Sequence, residues 1–132
     1  MIPVKIPISV TKIGDNAFNN CMNLTEGVIP DSVNEIGVKA FAVCYKLKEV
    51  TIPYSVTEIG VEAFALCSGL TNVTFDKDEV SKLISIGEKA FFGCSGLTSV
   101  TIQTRSLRLE WKPFPIILLY YLTKTYWKNM HY

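Results

Sequence analysis

Residues 47–69 read LKEVTIPYSVTEIGVEAFALCSG, and the 23 residues before them, 24–46, read LTEGVIPDSVNEIGVKAFAVCYK. The two stretches agree at the leucine, the Ile-Pro, the Ser-Val, the Ile-Gly, the Ala-Phe and the cysteine. Much of the same order recurs around Cys21 and Cys94, so the chain repeats the unit LxxVxIPxSVTxIGxxAFxxCxx. An internal repeat of this length predicts a stack of similar coils rather than one globular core.

The four cysteines measure the period of this repeat. Cys21, Cys44, Cys67 and Cys94 are 23, 23 and 27 residues apart. There is no CxxC pair, so the common zinc site with two short-spaced ligand pairs is excluded. The last interval is longer because four residues are inserted around Asp76–Glu79, where we expect a bulging, solvated loop. This acidic loop lacks the glycine and the distal glutamate of a helix-loop-helix calcium site, so no metal is predicted there.

The first half of each repeat has the pattern of a short strand. Val50 and Ile52 alternate with Glu49 and Thr51, which places the apolar pair on one face and the polar pair on the other. Pro53 ends this strand because proline has no N–H to donate to a ladder. In the equivalent strand of the preceding repeat a glycine replaces the first valine, so that strand should be weaker.

The second half of each repeat predicts a second strand and a turn. Residues 56–59 are short and rich in β-branched side chains, and Gly60 permits a sharp turn or a positive φ after them. The spacing of Ala63, Phe64 and Cys67 predicts about one turn of α or 3₁₀ helix, with its apolar side chains pointing inward. One such coil is too small to bury its own apolar residues, so neighbouring coils must stack.

The composition excludes several classes of function. The chain has 132 residues, 48% of them hydrophobic and 19% charged, which is enough for one domain and too apolar for a disordered chain. A net charge of +1 gives no general attraction to nucleic acid. The single histidine is His131, so an internal imidazole base or a cluster of imidazole ligands is absent. We therefore predict a protein that is not an enzyme.

The repeat resembles the BspA-like leucine-rich repeat family, whose coils carry the run Ile-Pro-x-Ser-Val-Thr-x-Ile-Gly-x-x-Ala-Phe-x-x-Cys-x-x-Leu. The resemblance covers residues 1–102. It implies a curved, right-handed solenoid used on cell surfaces for adhesion and protein binding, without a cofactor and without catalysis. The predicted fold is therefore an α/β leucine-rich-repeat solenoid, with mostly short parallel strands and one-turn helices. It should have about four coils plus a partial N-terminal strand.

The N-terminal residues bear on the expected location of the protein. Met1 aligns with Leu47 and Val4 with Val50, so the sequence starts inside a repeat and without an N-terminal cap. No positively charged segment followed by an apolar run is present, so no secretory signal is predicted. A cell-surface or secreted location is thus implied by the resemblance and requires that the chain be a fragment of a longer protein or have a wrongly assigned start; otherwise the expected location is cytoplasmic.

Residues 103–132 differ in composition from the repeats, so a boundary is predicted after residue 102. This tail has five basic residues and one acidic residue, net +4, whereas residues 1–102 have eight lysines and eleven acidic residues, net −3. Three interpretations stay open: an aromatic, basic C-terminal cap over the last coil, sequence left from a truncated or frame-disrupted gene, and membrane contact. For the last of these, the apolar run 114–122 falls well short of the ~20 residues that span a bilayer.

The cysteines allow two interpretations. Stacked coils bring Cys21 and Cys44 to about strand spacing, which is close to the Cα separation that a disulfide tolerates. Alternatively, the thiols form a buried row that acts as small apolar core. The second interpretation is favoured because the cysteines occupy the same position in every repeat.

Solvent-facing strand residues form the candidate ligand-binding face. Solenoids present extended repeated surfaces rather than pockets, so this broad polar face is where a ligand would bind. The competing interpretation is that these residues serve only solubility and β propensity. The candidate residues are Glu26, Val28, Glu49, Thr51, Asn72, Thr74, Ser99 and Thr101.

The predicted function is a non-enzymatic protein-protein or adhesion recognition module of cell-surface leucine-rich-repeat type. Its partner would be an unidentified protein or host-surface ligand, and no nucleic acid is expected. The alternative is a truncated fragment of a longer repeat surface protein with only a structural role.

Overall fold

The computed structural model describes residues 5–75, 82–97, 100–103 and 108–111, and of the last two ranges only the strands. Nine strands follow one another along these residues. Their bounds are β1 Lys12–Ile13, β2 Glu26–Val28, β3 Glu35–Ile36, β4 Glu49–Ile52, β5 Glu58–Ile59, β6 Asn72–Phe75, β7 Ser85–Ile86, β8 Val100–Gln103 and β9 Arg108–Trp111.

The strands form two sheets, and consecutive strands of the chain lie in different sheets. One sheet has the order β1-β3-β5-β7, and the other has the order β2-β4-β6-β8-β9. All pairs are parallel except β8 with β9, which is antiparallel. Glu26 pairs with Glu49 and Glu49 with Asn72, so the sequence period of the repeat is also the register of the sheet. The chain is therefore a parallel β-solenoid of about three turns between β1 and β7.

The core lies between the two sheets and contains the same positions from each coil. Four phenylalanine rings form a stack with centroid distances of 5.1, 5.1 and 5.5 Å: Phe18, Phe41, Phe64 and Phe91. The repeated leucines, strand residues and alanines are buried around this stack. Because each ring contacts the equivalent ring of the next coil, the apolar burial of one coil depends on its neighbours.

The predicted one-turn helices are not confirmed, because the described part of the chain contains strands and turns but no helix. Residues 15–20, 38–43, 61–66 and 88–93, here called the turn segments, form successive hydrogen-bonded turns. Asn16 and Asn20 in the first segment have φ values of 60° and 65°, and the equivalent positions of every later segment are also positive. A right-handed helix needs negative φ at every residue, so a positive φ at every fourth residue interrupts it.

Hydrogen bonding between coils explains this departure from a helix. The amide of Phe18 donates to the carbonyl of Ala40 in the next coil at 2.7 Å, whereas the amide of Ala17 donates locally to the carbonyl of Gly14 at 3.2 Å. Amides of the first three turn segments alternate between these two kinds of partner. The turn segments thus act as a third hydrogen-bonded side of the solenoid, which the apolar spacing within one coil does not reveal.

The repeated glycine serves close packing between coils. A Cβ placed on Gly60 would lie 2.6 Å from the carbonyl carbon of Gly37 in the preceding coil, and one on Gly87 would lie 2.4 Å from the amide nitrogen of Val61. The expected alternative, a positive φ, is not found at Gly60. The short second strand is present, as β5, and the strand weakened by a glycine, β2, has three residues where β4 has four.

Several sequence predictions lie outside the described residues. They are the bulging loop around Asp76–Glu79, the N-terminal residues 1–4 and the part of the tail from residue 112 onward. Strand β9 lies within residues 103–132, and it extends the sheet that contains β8. The boundary after residue 102 and the cap stay predictions.

Candidate recognition surface

Strands β2, β4 and β6 place the candidate residues in two straight, exposed columns. Glu26, Glu49 and Asn72 form the first column and are consecutive partners in the parallel register. Val28, Thr51 and Thr74 form the second column in the same way. All six side chains are exposed, and these six residues are called the strand face below.

The strand face exists because the intervening residue of each strand points into the core. Val50 and Val73 are buried at 2% and 3% exposure between the two columns, as strand alternation requires. Val28 is 67% exposed, although it is apolar, because it occupies a column position. The six residues of the strand face are thus exposed, and their role in ligand binding stays a prediction.

The remaining two candidates are only partly covered by the described structure. Thr101 lies in β8 and pairs with Thr74, so its backbone continues the second column. Its side chain is outside the described residues, and so is the whole of Ser99. The column of threonine positions therefore extends over β4, β6 and β8.

The strand face is acidic at its N-terminal end. Glu26 and Glu49 occupy neighbouring positions of one column, and both carboxylates are exposed. The opposite sheet places an acid beside a base instead, because Lys12 and Glu35 form an ion pair of 3.5 Å at its surface. Neither carboxylate forms an ion pair with a described residue, so both remain available to a cation on a partner.

The cysteines form a buried row of free thiols, which confirms the favoured interpretation. Cys44, Cys67 and Cys94 are buried and Cys21 is half-buried, and none of the four is in a disulfide. Each buried thiol donates to a phenylalanine carbonyl of the preceding coil, for example Cys67 Sγ to the Phe41 oxygen at 3.0 Å. Burial raises the pKa of the Cys94 thiol to about 12. This thiol is therefore a structural hydrogen-bond donor rather than a nucleophile.

The described residues show no constellation for metal chemistry. No group of three or more His, Cys, Asp or Glu side chains is placed to hold a metal ion in this part of the chain. The described part also contains no helix with the length and hydrophobicity needed to span a bilayer.

A second exposed surface was missed in the sequence analysis. The turn segments carry the exposed apolar side chains Val38, Val61, Leu66 and Phe92, each between 38% and 44% exposed. The sequence signal was the valine found at the same position of two adjacent repeats, where the first repeat has Asp15. Strand alternation could not point to these residues because they lie in turns.

Family comparison agrees with the geometry. Residues 1–114 match the family described as BspA type Leucine rich repeat region, in 6 copies. The chain belongs to the BspA-type leucine-rich repeat family. Members of this family have a repeat fold that is typically non-enzymatic, and leucine-rich repeat proteins generally mediate protein interactions.

Solved structures of bacterial leucine-rich repeat proteins are similar to this BspA-type chain. A leucine-rich repeat protein from Bacteroides ovatus is 38% identical with a TM-score of 0.61, over 67% of this chain and 22% of that one. The T. pallidum leucine-rich repeat protein is 33% identical with a TM-score of 0.61, over 70% and 42% of the two chains. A leucine-rich cell surface protein from Faecalibacterium prausnitzii is 28% identical with a TM-score of 0.48, over 76% and 38%.

The matched region is a minor part of these relatives. The BspA-type chain spans 22% and 42% of the length of the first two. No curated protein sequence matches it significantly.

Proposed function

We propose that this chain is a non-enzymatic recognition module that binds a protein or host-surface ligand through the strand face. The observation that supports the proposal is the pair of straight, exposed columns, Glu26-Glu49-Asn72 and Val28-Thr51-Thr74, at the regular spacing of parallel strands. Repeat solenoids bind through extended surfaces of this kind rather than through pockets. By resemblance to the family, the proposed location is the cell surface or the secreted fraction.

The test uses an array of purified extracellular-matrix proteins and host glycans as the probe. The wild-type chain should bind at least one of them. The variant Glu49→Lys and the double variant Thr51→Arg/Thr74→Arg should each weaken that binding at least tenfold, because they reverse a charge or place bulk at the centre of the strand face.

Glu58→Lys provides the matched control. Glu58 starts β5 in the opposite sheet, is exposed and has a glutamate on one side in the register, as Glu49 does. Glu58→Lys should bind like the wild type, and all variants should keep the wild-type Tm. Equal losses in Glu49→Lys and Glu58→Lys, or no binding by the wild type to any member of the array, would contradict the proposal.

The second candidate is a structural segment of a longer repeat surface protein without its own ligand. It is favoured by the length comparison, since the chain spans 22% and 42% of two similar proteins. In that case the purified chain should be sensitive to proteolysis and should unfold over a broad temperature range, because open repeat ends fray. A sharp two-state transition in a monomeric, protease-resistant chain would contradict it.

A further inference from the structure

Neighbouring coils are joined by backbone hydrogen bonds. On the outer side of the first coil, the equivalent groups form no such bond with a described residue. Between the first two coils, the amides of Asn16, Phe18 and Asn20 donate to the second coil at 2.9, 2.7 and 2.8 Å. The accepting carbonyls belong to the residues 22 positions further along, at Val38, Ala40 and Ala42. The equivalent carbonyls of the first coil accept no hydrogen bond from any described residue; they are those of Asp15, Ala17 and Asn19.

Two backbone donors at the same end also have no partner among residues 5–75. The amides of Asn34 and Gly37 donate back to Thr11 and Ile13 of the first coil, both at 2.8 Å. The equivalent amides one repeat earlier, those of Thr11 and Gly14, have no acceptor among the described residues. Within the part of the chain that the structure describes, this end presents three acceptors and two donors in the pattern that a preceding coil would satisfy.

Side chains at this end also lack contacts on the side where a preceding coil would lie. Phe18 is half-buried, whereas Phe41 in the next coil is 1% exposed, because only one face of the Phe18 ring is covered by the stack. Each buried cysteine donates to a carbonyl of the preceding coil, as Cys44 does to Phe18 at 3.1 Å, and Cys21 has no such carbonyl before it. A shallow pocket opens beside Phe18, lined also by Ile6 and Gly27.

Gly14 supplies an independent observation. A Cβ on Gly37 or Gly60 would collide with the backbone of the preceding coil, at distances of 2.6 to 2.8 Å. A Cβ on Gly14 would meet nothing within 4 Å. Gly14 does not have a positive φ either. In this structure nothing requires a glycine at that position, and a closely packed preceding coil would require it.

We propose that the N-terminal end of the stack is a docking surface for one more coil of the same 23-residue pattern, joined ahead of residue 1. Such a coil would present amides to Asp15, Ala17 and Asn19 and carbonyls to Thr11 and Gly14. A second copy of this chain fits less well as the occupant. Its matching surface would be the last coil, where Ala90 and Phe91 are already buried at 0% and 2% exposure.

The experiment joins a copy of residues 24–46 directly before residue 1 of the full chain. That copy carries the equivalent of Glu35, which can pair with Lys12 as the ion pair does now. The fused coil should raise the Tm and slow hydrogen exchange at the Thr11 and Gly14 amides at least tenfold. The same 23 residues in scrambled order should do neither.

Paired glycine variants make the test specific. In the 132-residue chain, Gly14→Ala should leave the Tm unchanged, while Gly37→Ala should lower it. In the extended chain both variants should lower the Tm, because Gly14 would then lie against backbone. Unchanged exchange at Thr11 and Gly14, a harmless Gly14→Ala in the extended chain, or an extended chain that does not fold would each overturn the proposal.

A self-association measurement distinguishes the proposed coil from a second copy of this chain as the occupant. The 132-residue chain should sediment as a monomer with fast exchange at Thr11 and Gly14. A concentration-dependent dimer that protects these two amides would replace the proposed coil by a second copy. The glycine variants change no residue of the strand face, so their outcome is independent of the ligand-binding proposal.

Discussion

At the scale of single residues, equivalent positions of the repeat make the same contact in successive coils. The cysteine is the clearest case, since its thiol is buried and bonds to the phenylalanine carbonyl of the coil before it in Cys44, Cys67 and Cys94. A small, weakly polar donor suits this place because it satisfies a carbonyl at little desolvation cost. Ionising such a thiol would place a charge in the core.

The raised pKa of Cys94 predicts a loss of stability at alkaline pH. The unfolded chain releases this proton near the ordinary pKa of 9.0, whereas burial keeps it on the folded thiol until the pKa of about 12. The free energy of unfolding should therefore fall as the pH rises from 9 towards 12, by up to about 1.4 kcal/mol per pH unit for this one thiol. Urea unfolding at pH 8, 9 and 10 measures this fall in the free energy of unfolding.

Cys94→Ala is the control for this pH dependence. It removes the titrating thiol but leaves the lysines and tyrosines that also titrate in this range. The variant should be less stable at pH 8 and should lose less stability between pH 8 and 10 than the wild type. Parallel curves for the two proteins would show that Cys94 does not carry the effect.

The positive φ of Lys39 predicts a site where glycine is better than lysine. Lys39 has a φ of 55° and an exposed side chain, so replacing it removes backbone strain without uncovering the core. The left-handed conformation costs a non-glycine residue about 1 kcal/mol. Lys39→Gly should therefore raise the free energy of unfolding by up to about 1 kcal/mol in urea titrations.

Lys48→Gly is the matched control, because Lys48 is also exposed but does not have a positive φ. Here glycine only adds freedom to the unfolded chain, and stability should fall by roughly 0.5–1 kcal/mol. If both glycine variants lowered stability equally, the strained conformation of Lys39 would be refuted.

At the scale of elements, strands of two to four residues are held by stacking rather than by their own length. Isolated strands this short are not stable in water, so the parallel pairing of β2, β4 and β6 and the phenylalanine stack must form together. The stack is continuous from the first coil to the fourth. Truncating a central ring of the stack should therefore lower the free energy of unfolding more than truncating the first ring.

Phe64→Ala and Phe18→Ala test this difference. Phe64 is fully buried between Phe41 and Phe91, so its truncation leaves a cavity in the middle of the stack. We expect a loss of about 3–5 kcal/mol for Phe64→Ala. Phe18 is half-buried at the open end, and its truncation should cost clearly less. The urea midpoints of the two variants measure this difference in stability. Equal losses of stability would contradict an open first coil.

At the scale of the whole molecule, the two ends of the stack differ. Phe18 and Cys21 in the first coil are half-buried, whereas Phe91 and Cys94 in the fourth coil are buried to 2% and 0% exposure. An end coil becomes as buried as a central one only if something covers its outer side. This supports the prediction of a C-terminal cap within residues 103–132.

Removing residues 112–132 tests the cap. The shortened chain 1–111 keeps β8 and β9 but should melt at a lower temperature, with faster exchange at the Phe91 and Cys94 amides. The Phe41 amide, which bonds to Ala63 in the next coil at 2.7 Å, serves as an internal control and should stay protected while the chain is folded. An unchanged Tm and unchanged exchange at Phe91 would show that residues other than 112–132 cover the fourth coil.

Much of the candidate surface could be predicted from the sequence, because strand alternation is a local property. The alternation of Val50 and Ile52 with Glu49 and Thr51 required only that one face of the strand be buried. The turn-segment surface at Val38 and Leu66 could not be predicted in this way. Its backbone conformation follows from hydrogen bonds to another coil, and no local periodicity marks it.

By itself, the sequence determined that this protein is a stack of parallel coils with a fixed register. Equal spacing of Cys21, Cys44 and Cys67 places identical side chains above one another, and such columns bury apolar surface only when the coils stack in phase. Only the tertiary structure decided that the Ala-Phe segment is turned rather than helical, that Gly60 is needed for close approach and that the first coil is open. The physical reason is that these three features depend on contacts between neighbouring coils, and spacing within one repeat contains no information about the distance to the next.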